Sequence, residues 1–265
     1  MEVSLSLSEN TKPSKLRPSD ICFSQKVVYH RFRRRSGHGH MTIGDTLDDI
    51  MEGRLSMTSL PEISLKQEED EETDGDILVG GKKTRWITAD NRRLWIFRHL
   101  ERLGRCKEIS FQEVSYIDSM KRSSENRGVS VGIKDDAEPG GYWHKAPDVT
   151  HIDPMSVKFT KDVIPMTFSS GDHSGVNVRT LVNELVSENL ECRNIPPIVV
   201  WQDETAMSVI DGNRRLWAFQ KSTKSEIAAI VIEDRQLLDN TMPRMIGKSL
   251  NDLSSVYDHT EVITE

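Results

Sequence analysis

Ile210-Asp211-Gly212-Asn213-Arg214-Arg215-Leu216-Trp217-Ala218-Phe219 has a counterpart earlier in the chain, Ile87-Thr88-Ala89-Asp90-Asn91-Arg92-Arg93-Leu94-Trp95-Ile96-Phe97. The two share Asn-Arg-Arg-Leu-Trp-x-Phe. Each runs from β-branched residues through a short Asp-containing turn into a helical period, which predicts strand, turn and helix. The arginine pair then falls in the first helical turn, where N–H groups lack intrahelical partners and the helix dipole is positive. Arginines added there complete an anion site. The competing reading is architectural: the Asp caps the helix and the arginines pair with neighbouring acids. Repetition favours a shared unit under either reading. The candidate phosphate- or nucleotide-binding residues are Asp90, Asn91, Arg92, Arg93, Asp211, Gly212, Asn213, Arg214 and Arg215, with Asp90 or Asp211 as metal or acid/base candidates.

Outward from the motif the correspondence continues. Phe23 and Phe32 match Phe159 and Phe168 at an offset of 136. The amphipathic stretch Ile43 to Leu55 matches Val178 to Leu190, and Leu60-Pro61-Glu62-Ile63 matches Ile195-Pro196-Pro197-Ile198, both at 135. At Asn91 and Asn213 the offset drops to 122, which places an insertion in the first copy alone. It contains the acidic run Gln67 to Asp76. Carboxylates this dense repel one another, and their order fits no EF-hand loop, so a mobile loop over 66–81 is expected and not a ligand site. The expected fold is α+β, two tandem units over 21–117 and 157–234, each a small mixed sheet with packed helices. A flexible leader (1–20), a linker (118–156) with local structure near Gly140-Gly141-Tyr142-Trp143, and a C-terminal tail (235–265) complete the expected organisation.

A helical wheel at 100° per residue puts Ile96, Phe97, Leu100 and Leu103 on one stripe beginning at Arg93. A guanidinium entering that seam needs a carboxylate, carbonyl groups or a bound anion. Trp95 lies on the opposite side with Arg98 and Arg102. Its recurrence as Trp217 implies that this face is covered, by another layer of the unit or by the other repeat.

A net charge of -7 argues against a chain that grips nucleic acid along its whole surface. The local cluster Arg31-Phe32-Arg33-Arg34-Arg35 reads first as a solvated loop. His38 and His40 lack a third ligand, so no metal site is assigned. Cys22, Cys106 and Cys192 are odd in number and show no Cys-x-x-Cys spacing, which points to a reducing, intracellular compartment, cytoplasmic or nuclear. With no apolar run of about 18 residues, a membrane partner is not expected.

Gly212-Asn213-Arg214-Arg215-Leu216-Trp217-Ala218 resembles the Gly-x-Arg-Arg-x-x-Ala motif of the ParB N-terminal domain, whose fold is shared with sulfiredoxin. Thr88-Ala89-Asp90-Asn91-Arg92-Arg93-Leu94 looks like the Asp-Asn-Arg-Arg-Leu variant of ParB-like domains in bacterial polymorphic toxins. The likeness covers roughly 21–117 and 157–234. It implies binding of nucleotide or nucleic-acid phosphate, magnesium accompanying a nucleotide, with the motif arginines near phosphate groups. The chain departs from these families in several respects. No Cys precedes the arginines as in sulfiredoxins, no helix-turn-helix region is expected after Asp234, and the Gln-Pro-Arg-type strand segment is not evident. Clustered metal-binding carboxylates are also missing. Two functions therefore stand side by side. One is a phosphate-binding protein of ParB-like type with nuclease or phosphotransfer activity. The other is a non-catalytic tandem module that binds another protein and whose Asn-Arg-Arg motif is structural. Arg215 is the expected phosphate ligand, because Gly212 would let an anion approach the backbone.

Overall fold

The computed structural model describes residues 14–32, 41–69, 84–168, 175–246 and 261–263. Residues 1–13 of the leader, the basic and His-containing stretch from Arg33 to His40, the acidic run beyond Glu69 and most of the C-terminal tail lie outside the described residues.

The first unit contains β1 (Lys15–Leu16), β2 (Ile21–Phe23), β3 (Val27–Val28), α1 (Ile43–Met51), β4 (Ile63–Glu69), β5 (Thr84–Thr88), α2 (Asn91–Arg102) and β6 (Ile109–Glu113). The short β7 (Gly132–Ile133) pairs with β3. The second unit contains β8 (Thr150–Ile152), β9 (Val157–Lys158), β10 (Val163–Pro165), α3 (Val178–Val186), β11 (Ile198–Gln202), β12 (Met207–Asp211), α4 (Asn213–Lys221) and β13 (Ile227–Ile232). After these come α5 (Arg235–Ile246) and β14 (Glu261–Ile263), the latter parallel to β10.

The two five-stranded sheets have one topology, β1-β6-β4-β5-β2 and β8-β13-β11-β12-β9. Directions match as well: β4 runs antiparallel to β5 and parallel to β6, as β11 does to β12 and β13. The molecule is a pair of tandem α+β units. Each unit begins earlier than the sequence repeat places it. Leu16-Arg17-Pro18 and Ile152-Asp153-Pro154 both supply an edge strand and a one-turn 3-10 helix ahead of Ile21 and Val157. Pro18 and Pro154 are buried, so part of the expected leader belongs to the first core.

Helix starts follow local chemistry. The Thr42 hydroxyl accepts the Asp45 N–H at 3.0 Å, and the Asn177 side chain accepts the Arg179 N–H at 2.8 Å. The apolar faces of α1 and α3 then cover one side of their sheets, burying Ile43, Leu47 and Met51, and Val178, Leu181 and Leu185. The other sides differ. In the first sheet that face carries Ser64, Lys66, Glu68 and Gln112. In the second, Val199, Ile210, Ile230 and Ile232 are buried and join the first unit's core, together with Leu237 and Leu238 of α5.

Residues 118–156, expected as a linker, are packed structure. The Asp48 carboxylate accepts the Tyr142 N–H at 2.9 Å and the Trp143 N–H at 3.0 Å, and the Trp143 side chain is fully buried. Gly140 and Gly141 adopt φ +76° and +64° against α1. At Gly44 an added Cβ would lie 1.7 Å from the Gly140 carbonyl oxygen. A stretch without hydrophobic period is thus ordered by contacts with distant residues.

Candidate functional site

Both motifs sit where a strand of the hairpin turns into the second helix of its unit, and both use their Asn in the same way. Asn91 Oδ1 accepts the Ser24 N–H at 2.8 Å, while its Nδ2 donates to Ser24 Oγ at 3.0 Å. Asn213 Oδ1 accepts the Thr160 N–H at 3.3 Å, and its Nδ2 donates to Thr160 Oγ1 at 3.3 Å. Ser24 and Thr160 follow equivalent strands, β2 and β9, so each amide fastens the helix start to the neighbouring strand end.

The second arginine of each pair points inward. Arg215 Nη1 donates to the Pro196 and Pro197 carbonyls, both at 2.7 Å, and its Nη2 meets Asp211 Oδ2 at 2.6 Å. Arg93 Nη1 donates to the Pro61 carbonyl at 2.8 Å and to that of Glu62, and its Nη2 pairs with Asp90. The same two-carbonyl clamp therefore occurs twice, completed by an acid three residues before Arg93 and four residues before Arg215. Asp90 stands at the N-cap position but makes no capping bond; it accepts the Ser64 N–H at 2.8 Å instead. Gly212 has φ +99°, and a Cβ there would come within 3.1 Å of Arg215 Nε and Nη2. The room made by this glycine holds the protein's own guanidinium.

Arg92 and Arg214, the first members, are half-buried. Arg92 donates to the Arg31 carbonyl with its guanidinium 5.6 Å from the Phe32 ring centre. Arg214 donates to the Pro165 carbonyl at 3.2 Å and lies 5.9 Å from the Phe168 ring centre. The motif arginines are thus divided, two clamping the loop before the hairpin and two facing the segment ahead of α1 or α3.

Burial acts to raise the pKa of Asp211, but Arg215 and Arg105 beside it prevail and hold the carboxyl below its ordinary range. Arg105 Nη2 lies 3.5 Å from Asp211 Oδ2, a charge contact from one unit to the other. Asp211 therefore stays ionised at neutral pH and is unsuited to act as a general acid.

The face of α2 that carries Trp95, Arg98 and Arg102, expected to be covered, is covered by the chain's own residues, among them His144, which the sequence did not single out. Arg102 donates to the Ala146 and His144 carbonyls and pairs with Asp148 at 2.9 Å. Arg98 donates to the carbonyls of Pro18, Ile21 and Val129. Trp95 is covered there, its ring 4.1 Å from His99 and 6.1 Å from His144. Burial first, then the Arg102 and His144 charges, push His99 down to about 3 from 6.5. Folded His99 thus resists a proton that the unfolded chain accepts near 6.5. Acid should favour unfolding progressively between pH 6.5 and about 3, by a few kcal/mol in all. Urea midpoints measured across this window should fall with pH, and His99→Gln should flatten the slope; an unchanged slope would show that His99 is not buried neutral.

Among the described residues, no three His, Cys, Asp or Glu side chains gather in a way that could hold a metal ion, and no helix is long and apolar enough to cross a membrane. Cys106 is buried, which drives its thiol up to about 12, so it is protonated and unreactive at neutral pH. The chain matches no protein-family model and no curated protein. Its own geometry must carry the functional reading.

Proposed function

We propose that the chain is a non-catalytic tandem binding module of ParB-like type, in which Asn-Arg-Arg is a structural clamp and the outer faces engage another protein. The observation that carries this reading is the double clamp of Arg93 and Arg215. Each spends its fork on two consecutive carbonyls and one carboxylate, which leaves little donor capacity for a phosphate. The acid candidates are engaged by the same arginines. Tyr29, Tyr116 and Met120, all exposed and all on or beside the first unit, supply side-chain types enriched at protein interfaces.

A second reading keeps phosphate binding but moves it to Arg92 and Arg214. It is favoured by their place in the first helical turn, half-exposed and each over a phenylalanine ring.

Lysine substitutions separate the two. A lysine keeps the charge but cannot reach two carbonyls and a carboxylate at once. Losing charge-assisted bonds of about 1.5–3 kcal/mol each, Arg93→Lys and Arg215→Lys should both melt lower, by roughly 5–10 °C for a chain of this size. Nucleoside triphosphates, with or without magnesium, should raise the melting temperature of the parent no more than that of Arg92→Lys or Arg214→Lys. A saturating nucleotide at about 100 times its dissociation constant would add about 2.7 kcal/mol. Such a rise in the parent, lost in Arg92→Lys and Arg214→Lys, would establish the second reading and reject the first.

A further inference from the structure

Helices α1 and α3 occupy equivalent places in register. The Ile43 and Val178 N–H groups donate to the His30 and Met166 carbonyls, both at 2.8 Å. Their last turns close alike, the Glu52 N–H on the Asp48 carbonyl and the Ser187 N–H on that of Asn183, both at 2.9 Å. The sequence offset of 135 therefore holds in space at both ends. At about 100° per residue each helix has a second stripe on the flank of its core stripe. It consists of Gly44, Asp48 and Met51 in α1, and of Arg179, Asn183 and Val186 in α3.

In the first unit this flank is covered. Gly44, Asp48 and Met51 are all buried, and residues 139–143 run along the helix from its first turn to its last. The Gly44 N–H donates to the Pro139 carbonyl at 2.8 Å, the Asp48 carboxylate takes the Tyr142 and Trp143 N–H groups, and Trp143 Nε1 donates to Glu52 Oε1 at 3.3 Å. In the second unit the matching flank is open to solvent. Arg179 and Asn183 are exposed, and Val186 is 61% exposed, although Val182, one turn before it, is half-buried against the core. A second copy of this chain cannot fill the flank with its own residues 139–143. Even a Cβ at Gly44 would run into the Gly140 carbonyl oxygen, and the equivalent position carries the whole arginine side chain of Arg179.

We propose that the flank of α3 is a docking face for an extended segment of another protein, one that presents a carboxylate to Arg179 and, about three residues further on, an aromatic side chain to Val182 and Val186. The proposal rests on the reading of the chain as a protein-binding module and names the partner's chemistry. The first unit supplies the template, because there an extended segment already lies on the equivalent flank and ends in a buried tryptophan. Arg179 and Val186 are separated by about 10 Å of helix, a span that about three extended residues cover. Gly140 to Trp143 makes the same step in the first unit. Arg179 offers the planar fork that a carboxylate matches. Asn183 stands where Asp48 stands, and its amide offers both an acceptor and donors to a passing backbone. Val182 and Val186, one turn apart on the helix, give the aromatic ring an apolar floor.

Panning a random-peptide library against the full chain tests it, with the affinity of each selected peptide then measured by fluorescence polarisation. Peptides carrying an acid about three residues before an aromatic are expected. Their binding should weaken at least about tenfold in Arg179→Glu and in Val186→Asp, and stay unchanged in Met120→Asp. Replacing the peptide's acid by lysine should restore binding to Arg179→Glu, a rescue that a merely structural role of Arg179 would not produce. Both positions are exposed, so the variants should keep the parent's fold, which circular dichroism checks; Val186→Ser serves if Val186→Asp does not fold. A library that yields no binder, or binders held as tightly by Arg179→Glu and Val186→Asp as by the parent, overturns the proposal. Binders lost in Met120→Asp instead overturn it while leaving the module reading in place. Self-association of the chain that Val186→Asp abolishes overturns it in favour of a second copy.

Discussion

Gly44→Ala should unfold the chain more than its single methyl implies, lowering stability by at least about 4 kcal/mol. The new Cβ would be driven into the Gly140 carbonyl, which both positive-φ glycines hold against α1, so residues 140–143 must leave their seat. With them go the two N–H bonds to Asp48 and the burial of Trp143. Truncating a buried aromatic typically costs about 3–5 kcal/mol. Gly53→Ala is the control: it too has positive φ, +74°, but no atom stands within 4 Å of its Cβ position, so only backbone strain of about 1–2 kcal/mol is expected. Urea denaturation followed by tryptophan fluorescence would report both. Equal effects of the two alanines would mean that the 140–143 segment is not seated on α1.

Ile230→Asp should be nearly as damaging, and its counterpart Gln112→Asp almost silent. Ile230 pairs with Val199 in the second sheet as Gln112 pairs with Ser64 in the first. Ile230 is fully buried among side chains of the first unit and α5, whereas Gln112 is exposed. An unpaired carboxylate at Ile230 faces a penalty of several kcal/mol, while an exposed substitution stays within about 0.5 kcal/mol. Urea midpoints for the two variants check this. Matching small shifts would show that the units do not bury this face between them.

Much of this asymmetry was legible in the strands. Ile63-Ser64-Leu65-Lys66 alternates, as a strand with one wet face must; Ile198-Val199-Val200-Trp201 and Ile227 to Ile232 are apolar almost throughout, the pattern of strands covered on both sides. The units' true beginnings were legible too, since Leu16-x-Pro18-x-x-Ile21-x-Phe23 recurs as Ile152-x-Pro154-x-x-Val157-x-Phe159. The seat of Trp143 was not. It depends on a glycine and a carboxylate on α1 nearly a hundred residues earlier, and short 3-10 turns leave no period to read. Within the motif, spacing placed Arg93 on the buried stripe and restricted its partner to a carboxylate, carbonyls or an anion. Only the arrangement of Pro61-Glu62 and Pro196-Pro197 beneath the forks distinguishes among them.

The shared strand order also bears on how the chain folds. Two sheets of identical topology in one polypeptide give every strand two places where its hydrogen bonds could be met, the setting in which tandem repeats exchange elements and misassemble. The edge strands span only two or three residues, so a mistaken exchange there gains few bonds. A central strand has more to gain, yet β4 placed in the second sheet would set Lys66 in the apolar seam where Trp201 belongs. The charge that keeps one sheet wetted thus also penalises its entry into the other.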